Sequence, residues 1–336
     1  MPMNDGFKSI GVGFGGNVPV GTAVEWAATV DSSNFGSLWI QENDETSTMV
    51  LAAATLHATK RLVVGTGITS PFRRHPQTLA VEAATLNELS SNRFILGLGA
   101  AERLIKTFRI AGKPIEAMRD TFAIIRGIYA SDNFTYEGRV FSVVTPQRRL
   151  TSKPRIYMGA LGPRMLELAG ELADGLILSR RTTFSPKYAK YAIAVVAKKA
   201  RDVGRDPSRI DSVGFFETSL AKNGDEARAF AKRILGTYTI PGTPPSVLDV
   251  ESISEGDIEN VKANYLKGNL EAAVSSVTDE MVEKFALAGT PDECLEKLRN
   301  HIGTGLRCPI LYIHGPDQKQ AAQLASEGII PNLVPK

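Results

Sequence analysis

Cysteine is nearly absent: the chain holds only Cys294 and Cys308, with no Cys-x-x-Cys pair. That leaves no disulfide framework and no thiolate metal cluster, and both residues read as buried thiols. An excess of either charge is lacking too. Its 39 basic and 36 acidic side chains leave +3 over 336 residues, so nothing in the electrostatics favours nucleic acid or an anionic membrane as partner. No apolar run nears the ~20 residues that cross a bilayer. Residues 1–8 carry Asp5 and no apolar stretch of the kind a secretory leader needs. The expectation is a cytoplasmic protein that acts on a small molecule. Histidine is scarce, and His57, His75, His301 and His314 share no metal-ligand spacing; they read as structural, and no metal is expected. No Gly-x-Ser-x-Gly supports a serine hydrolase. Gly11, Gly13, Gly15 and Gly16 miss the Gly-x-Gly-x-x-Gly spacing of a dinucleotide-binding turn.

What the chain does have is 43% hydrophobic residues in a regular alternation of short apolar runs with amphipathic stretches. Strands are expected at 10–14, 37–40, 62–68, 93–98, 155–158, 175–178, 212–219 and 309–313. Helices are expected between them, with Trp26, Ala27 and Val30 showing helical spacing in the first. Two segments break the pattern. Residues 132–148 alternate with period two around Glu137-Gly138 and read as an inserted hairpin. Residues 237–285 hold Pro241, Pro244 and Pro245 followed by polar helical stretches, and read as an insertion between the seventh and eighth strands. At Thr290-Pro291-Asp292-Glu293 a capping box opens a further helix. Eight strand–helix units suit either an open doubly wound sheet or a closed barrel. A single (β/α)8 TIM barrel absorbs all of them in one α/β domain, insertions included.

In such a barrel the chemistry sits just beyond the C-terminal ends of the strands. Gln41-Glu42-Asn43-Asp44, after the second strand, suits substrate binding or proton transfer, or else caps the next helix. Gly65-Thr66-Gly67-Ile68-Thr69-Ser70 ends in glycines that let backbone approach a flat ring, or form a plain turn. Gly99 and Ala100 clear space after the fourth strand. Glu102 is the first ionisable side chain beyond them; in a closed apolar pocket it becomes a general acid, and on the surface it pairs with Arg103 or Lys106. Gly159 to Met165 is a strand-to-helix turn whose N–H groups suit a phosphate, although most such turns hold none. Arg180 and Arg181 follow the sixth strand, within reach of a phosphate tail.

These segments together resemble a known family. Thr66 to Pro71 with Arg74-His75-Pro76, Arg93 to Gly99, Tyr136-Glu137-Gly138-Arg139, Ile156 to Pro163, Glu171 to Gly175 and Ala288 to Pro291 look like the luciferase-like monooxygenase superfamily across nearly the whole chain. Gly159 to Glu171 is most similar to the branch that uses the deazaflavin coenzyme F420, the methylenetetrahydromethanopterin reductases especially. The resemblance implies a non-prolyl cis peptide at Gly67–Ile68 in a bulge backing the cofactor ring. It implies a tail-binding role for Ser70 and for the backbone of Leu161 and Gly162, with Thr69 and Ala160 beside them. Glu102 would face ring and substrate, with Glu42 and Asn43 orienting the substrate. Relatives often carry Asp-His where this chain has Glu42-Asn43, and asparagine exchanges no proton at neutral pH. The implied activity is hydride transfer to or from a small organic substrate, a methylene-tetrahydropterin among the candidates, by a homodimer. An FMN-dependent monooxygenase and a catalytically silent barrel are the alternatives.

Overall fold

Short apolar runs that must be buried on both faces can do so only inside a layer of helices, and they form parallel strands here. The structure is a computed structural model that describes residues 9–14, 18–101, 104–105, 113–145, 149–243, 247, 253–315 and 317–333. Its strands are β1 (Gly11–Phe14), β2 (Ser37–Ile40), β3 (Val63–Thr66), β4 (Phe94–Leu98), the antiparallel pair β5 (Thr135–Glu137) and β6 (Ser142–Val144), β7 (Arg155–Gly159), β8 (Gly175–Leu178), β9 (Asp211–Leu220), β10 (Leu287–Gly289) and β11 (Cys308–His314). The order β1-β2-β3-β4-β7-β8-β9-β11 returns to β1, so eight parallel strands close a barrel. The chain is therefore a (β/α)8 barrel. The helices that matter below are α1 (Val20–Asp31), α2 (Thr48–Ala58), α3 (Pro76–Leu89), α4 (Pro114–Ala130), α5 (Pro163–Leu172), α6 (Pro186–Asp202), α7 (Gly224–Ile234), α8 (Glu255–Leu266), α9 (Leu270–Ser275), α10 (Asp279–Phe285) and α11 (Pro291–Ile302). Proline opens α3, α4, α5, α6 and α11, where its missing N–H costs nothing. The capping box of α11 is present, with Thr290 N donating to Glu293 Oε2 at 2.7 Å.

One strand departs from the expected pattern. Leu287–Gly289, not among the expected strands, pairs in parallel with Thr218–Leu220 of β9. The cause lies in unequal lengths. β8 reaches only the Asp211–Gly214 part of β9, so the upper edge of β9 would stand open, and β10 covers it. Between β9 and β10 the chain runs through α7, the helical turn Leu235–Thr239, and α8 to α10. Among the described residues no helix is long and apolar enough to cross a membrane.

The barrel interior is filled by large rings set against glycines. Trp39, Tyr157, Phe215 and Tyr312 form one buried cluster with Ile177, Val213 and Ile310. A Cβ added to Gly13 would stand 2.6 Å from Tyr312, and one on Gly65 2.6 Å from Trp39. Trp39 lies 6.0 Å from Tyr157 and meets Phe215 edge-on at 5.8 Å. These contacts join β2 to β7 and β9, so they run across the barrel and make a solid floor beneath its mouth.

Candidate active site

The mouth has two unlike halves. One half is built at the ends of β3, β4 and β7. The peptide between Gly67 and Ile68 is cis. Beyond it Thr69 N donates to Gly97 O at 2.9 Å, and Gly99 N donates to Thr69 O at 3.0 Å, so the bulge is stitched onto the end of β4. Ile68 then lies across two strand ends: a Cβ on Gly99 would overlap Ile68 Cδ1, and one on Gly159 would stand 3.3 Å from Ile68 Cγ2. Gly67 is held by the Phe215 ring beneath it, which a Cβ would strike. The outcome is an apolar shelf made by Gly67, Ile68, Gly99 and Ala100. Leu161 and Gly162 lie exposed beside it at the start of α5, and nothing stands within 4 Å of a Cβ added to Gly162. No side chain caps α5. The Tyr188 hydroxyl donates to Leu161 O and fixes that turn.

Several expected ligands face inward instead. Thr69 and Ser70 are wholly buried; the Ser70 hydroxyl donates to Ala100 O at 3.3 Å and accepts from Phe72 N at 3.3 Å. Ser70 therefore anchors the bulge rather than offering a free hydroxyl to a phosphate. Ala160 is buried as well, and its N–H donates to Ile177 O at 3.3 Å.

Glu42 and Asn43, expected to orient substrate, are engaged by the protein itself. Glu42 accepts from Thr69 Oγ1 at 3.0 Å and Ser70 N at 3.2 Å, and it pairs with Arg74. Asn43 Oδ1 accepts the N–H groups of Glu45 at 2.9 Å and Thr46 at 2.7 Å, an Asx turn leading into α2. The turn ends before α2, whose N-cap Ser47 makes no side-chain capping bond. Glu102 lies outside the described residues.

The other half of the mouth is polar, and most of it was invisible in the sequence. Glu217 on β9, 3% exposed, accepts from Thr239 at 2.9 Å, from Arg180 at 3.1 Å and from His314 Nε2 at 2.7 Å. Arg180 also donates to Gln41 at 3.1 Å, and Tyr312 donates to the same Gln41 oxygen at 2.7 Å. The Arg180 guanidinium is sandwiched between the rings of Tyr312, at 4.0 Å, and Tyr238, at 4.4 Å. It is thus occupied internally, which corrects the expectation that Arg180 reaches a phosphate tail. Burial opposes ionisation of Glu217, but Arg180, His314 and Thr239 together hold its carboxyl down at about 2. Burial likewise opposes ionisation of the Tyr238 phenol, yet Arg180, Arg181 and a hydrogen bond from Gln41 leave it below its usual range. Gln41, directly after β2, and Arg180, after β8, stand on opposite sides of the ring of strands, so these contacts cross the opening. The missed signal was period two: Val213, Phe215 and Glu217 share the inner face of β9, as Ile310, Tyr312 and His314 share that of β11. Among the described residues no cluster of His, Cys, Asp or Glu suits a metal ion.

Known proteins share this architecture. The 5,10-methylenetetrahydromethanopterin reductase of Archaeoglobus fulgidus is 32% identical over 321 residues, covering 90% of this chain and 93% of that protein. The F420-dependent glucose-6-phosphate dehydrogenase of Microbacterium testaceum is 25% identical over 351 residues, covering 99% and 98%. The solved structure of the coenzyme F420-dependent tetrahydromethanopterin reductase of Methanopyrus kandleri superimposes with a TM-score of 0.86 at 26% identity, covering 97% and 99% of the two chains. The family model of the luciferase-like monooxygenases matches residues 9–308, and the chain belongs to that family.

Proposed function

We propose that this protein is a coenzyme F420-dependent oxidoreductase that moves a hydride to or from a small organic substrate, with a methylene-tetrahydropterin the first substrate to test. The observation that carries this is the shelf of Gly67, Ile68, Gly99 and Ala100, set beside the exposed turn at Leu161 and Gly162. A planar ring needs an apolar surface without projecting side chains, and glycines at two of these positions supply it. An anionic tail needs backbone N–H groups at an uncapped helix start, and α5 supplies those. The two features adjoin, in the order a ring with a phosphate-bearing tail requires. Two of the relatives that cover nearly all of this chain are F420-dependent enzymes by name.

When bound, the deazaflavin supplies a two-electron hydride, and the rest falls to the protein. Ile68 and the backbone around it fix the plane of the ring. Glu42, through Thr69 and Ser70, keeps the bulge in place. Leu161 and Gly162 hold the tail. Tyr238 and the insertion that carries it stand over Arg180, excluding water from the polar half. A homodimer working in the cytoplasm is part of the same proposal.

The test is a fluorescence titration of purified protein with F420 and, separately, FMN, followed by oxidation of reduced F420 with methylenetetrahydromethanopterin. Saturable binding of F420 without FMN, and turnover of the pterin, are expected. Tight FMN binding with none for F420 would reverse the cofactor assignment. Binding without turnover of this pterin would move the substrate elsewhere.

A further inference from the structure

Hydride transfer to carbon leaves a heteroatom that must gain a proton, and the polar half of the mouth holds a pair suited to that step. We propose that His314, oriented by Glu217, is the catalytic residue that gives or takes this proton. The proposal rests on the hydride-transfer function above.

The inner face of β11 runs Ile310, Tyr312, His314, which brings the imidazole to the rim of the barrel directly above the aromatic floor. Its Nε2 lies 2.7 Å from Glu217 Oε2. An ionised carboxylate can only accept, so Nε2 carries the hydrogen and Nδ1 is left as the reactive nitrogen. Among the described residues Nδ1 has no hydrogen-bond partner, and the side chain is 12% exposed. A buried carboxylate, an imidazole fixed by it and an open ring nitrogen form the arrangement by which proteins set a general acid–base histidine.

A purely structural imidazole fits less well. Glu217 is already neutralised by Arg180 at 3.1 Å and bonded by Thr239 at 2.9 Å, so its charge does not require His314. Among the described residues the other expected proton-transfer candidates are engaged, Glu42 by Arg74 and the bulge, and Asn43 by its turn. The groups facing the imidazole are Glu217 from β9, Arg180 after β8 with its Nη1 3.4 Å from Nε2, and Tyr312 on its own strand with ring centroids 5.1 Å apart. Tyr238 from the insertion lies over Arg180 on the far side.

The step balances as follows. The substrate carbon gains the hydride with its two electrons from the reduced coenzyme, which is oxidised. The electron pair of the carbon–heteroatom bond moves to the heteroatom, which takes the proton from protonated Nδ1. Solvent returns a proton to Nδ1, and the coenzyme's remaining hydrogen leaves to solvent as a proton.

The experiment has two arms. In the first, His314→Gln is compared with wild type for F420 affinity and for the rate of reduced-F420 oxidation by methylenetetrahydromethanopterin across pH. Affinity is expected to stay within about twofold, because the shelf does not include residue 314, while the rate falls about 100-fold and loses one limb of its pH profile. A full rate with an unchanged pH profile would overturn the proposal. In the second arm, nitrogen NMR of wild-type protein labelled in its histidine rings reads the tautomer of His314 and its response to added F420. An Nε2–H tautomer whose Nδ1 resonance moves on adding F420 supports the pair; an Nδ1–H tautomer overturns it. Wild type that binds no F420 refutes the proposed function, while the tautomer still judges the pair. Should the variant misfold or this pterin not react, the NMR arm decides alone.

Discussion

Ile68 lies directly over Gly99, close enough that a Cβ built on Gly99 would overlap Ile68 Cδ1. The strand end and the bulge are therefore complementary, and the flatness of the shelf depends on residue 99 having no side chain. Gly99→Ala must push Ile68 outward, at a cost of about 1–3 kcal/mol typical of overpacking. The expected outcome is a folded protein with modestly lower stability and at least ~10-fold weaker F420 binding in a fluorescence titration. Unchanged affinity would mean that the ring rests somewhere other than this shelf.

Arg180 and Glu217 form a buried ion pair whose members cannot be removed singly without penalty. Arg180→Met leaves the Glu217 carboxylate in the interior without its cation, with an expected loss of about 3–5 kcal/mol. The double variant Arg180→Met, Glu217→Gln removes both charges and should recover part of that loss. Urea denaturation of the two variants beside wild type gives the comparison. Equal losses in the single and double variants would show that packing between Tyr312 and Tyr238, not charge, sets the cost.

Much of the barrel was legible because its strands are largely buried on both faces and read as short apolar runs such as Phe94 to Leu98. The glycine-backed shelf was legible for a related reason: glycines at strand ends are conspicuous. The polar half was not. Glu217 and His314 are 97 positions apart, and a sequence shows each as one polar residue ending an apolar run. Arg180 was noticed as a cation after a strand, but its burial depends on Tyr238, Tyr312 and Gln41, which come from three other segments. Glu42 misled in the opposite sense, because its acid group is conspicuous while its partners Thr69, Ser70 and Arg74 are supplied by the next loop. β10, three residues long, is too short to show any periodicity.

If Glu42 positions the bulge rather than handling protons, its removal should have a particular signature. Glu42→Ala takes away the acceptor of two hydrogen bonds and the partner of Arg74, costing roughly 2 kcal/mol. F420 affinity should fall as residues 69–74 loosen. The pH profile of hydride transfer should keep its shape, measured at saturating cofactor. A profile that loses a limb in this variant would return the proton-transfer role to Glu42.

His301 offers a pH dependence outside the mouth. It packs edge-on against Phe216 with ring centroids 4.8 Å apart, is 7% exposed, and has its Nδ1 buried without a partner. Burial pushes the imidazole down to about 4 from its ordinary 6.5. In the unfolded chain the ring takes a proton as pH falls through 6.5, whereas the folded protein refuses one until about 4. The unfolded state then binds more protons across that window, so folding stability declines as acid is added and the penalty is complete below about 4. Glu217 acts in a separate, more acidic window: its lowered carboxyl favours the fold above 4.5, and that contribution is lost only as pH drops toward about 2. Chemical denaturation at pH 7 and pH 4.5 should therefore show wild type losing roughly 2 kcal/mol more than His301→Leu between the two conditions. Equal losses would mean that the ring takes up its proton in the folded state, and that His301 is more open to water than its packing against Phe216 indicates.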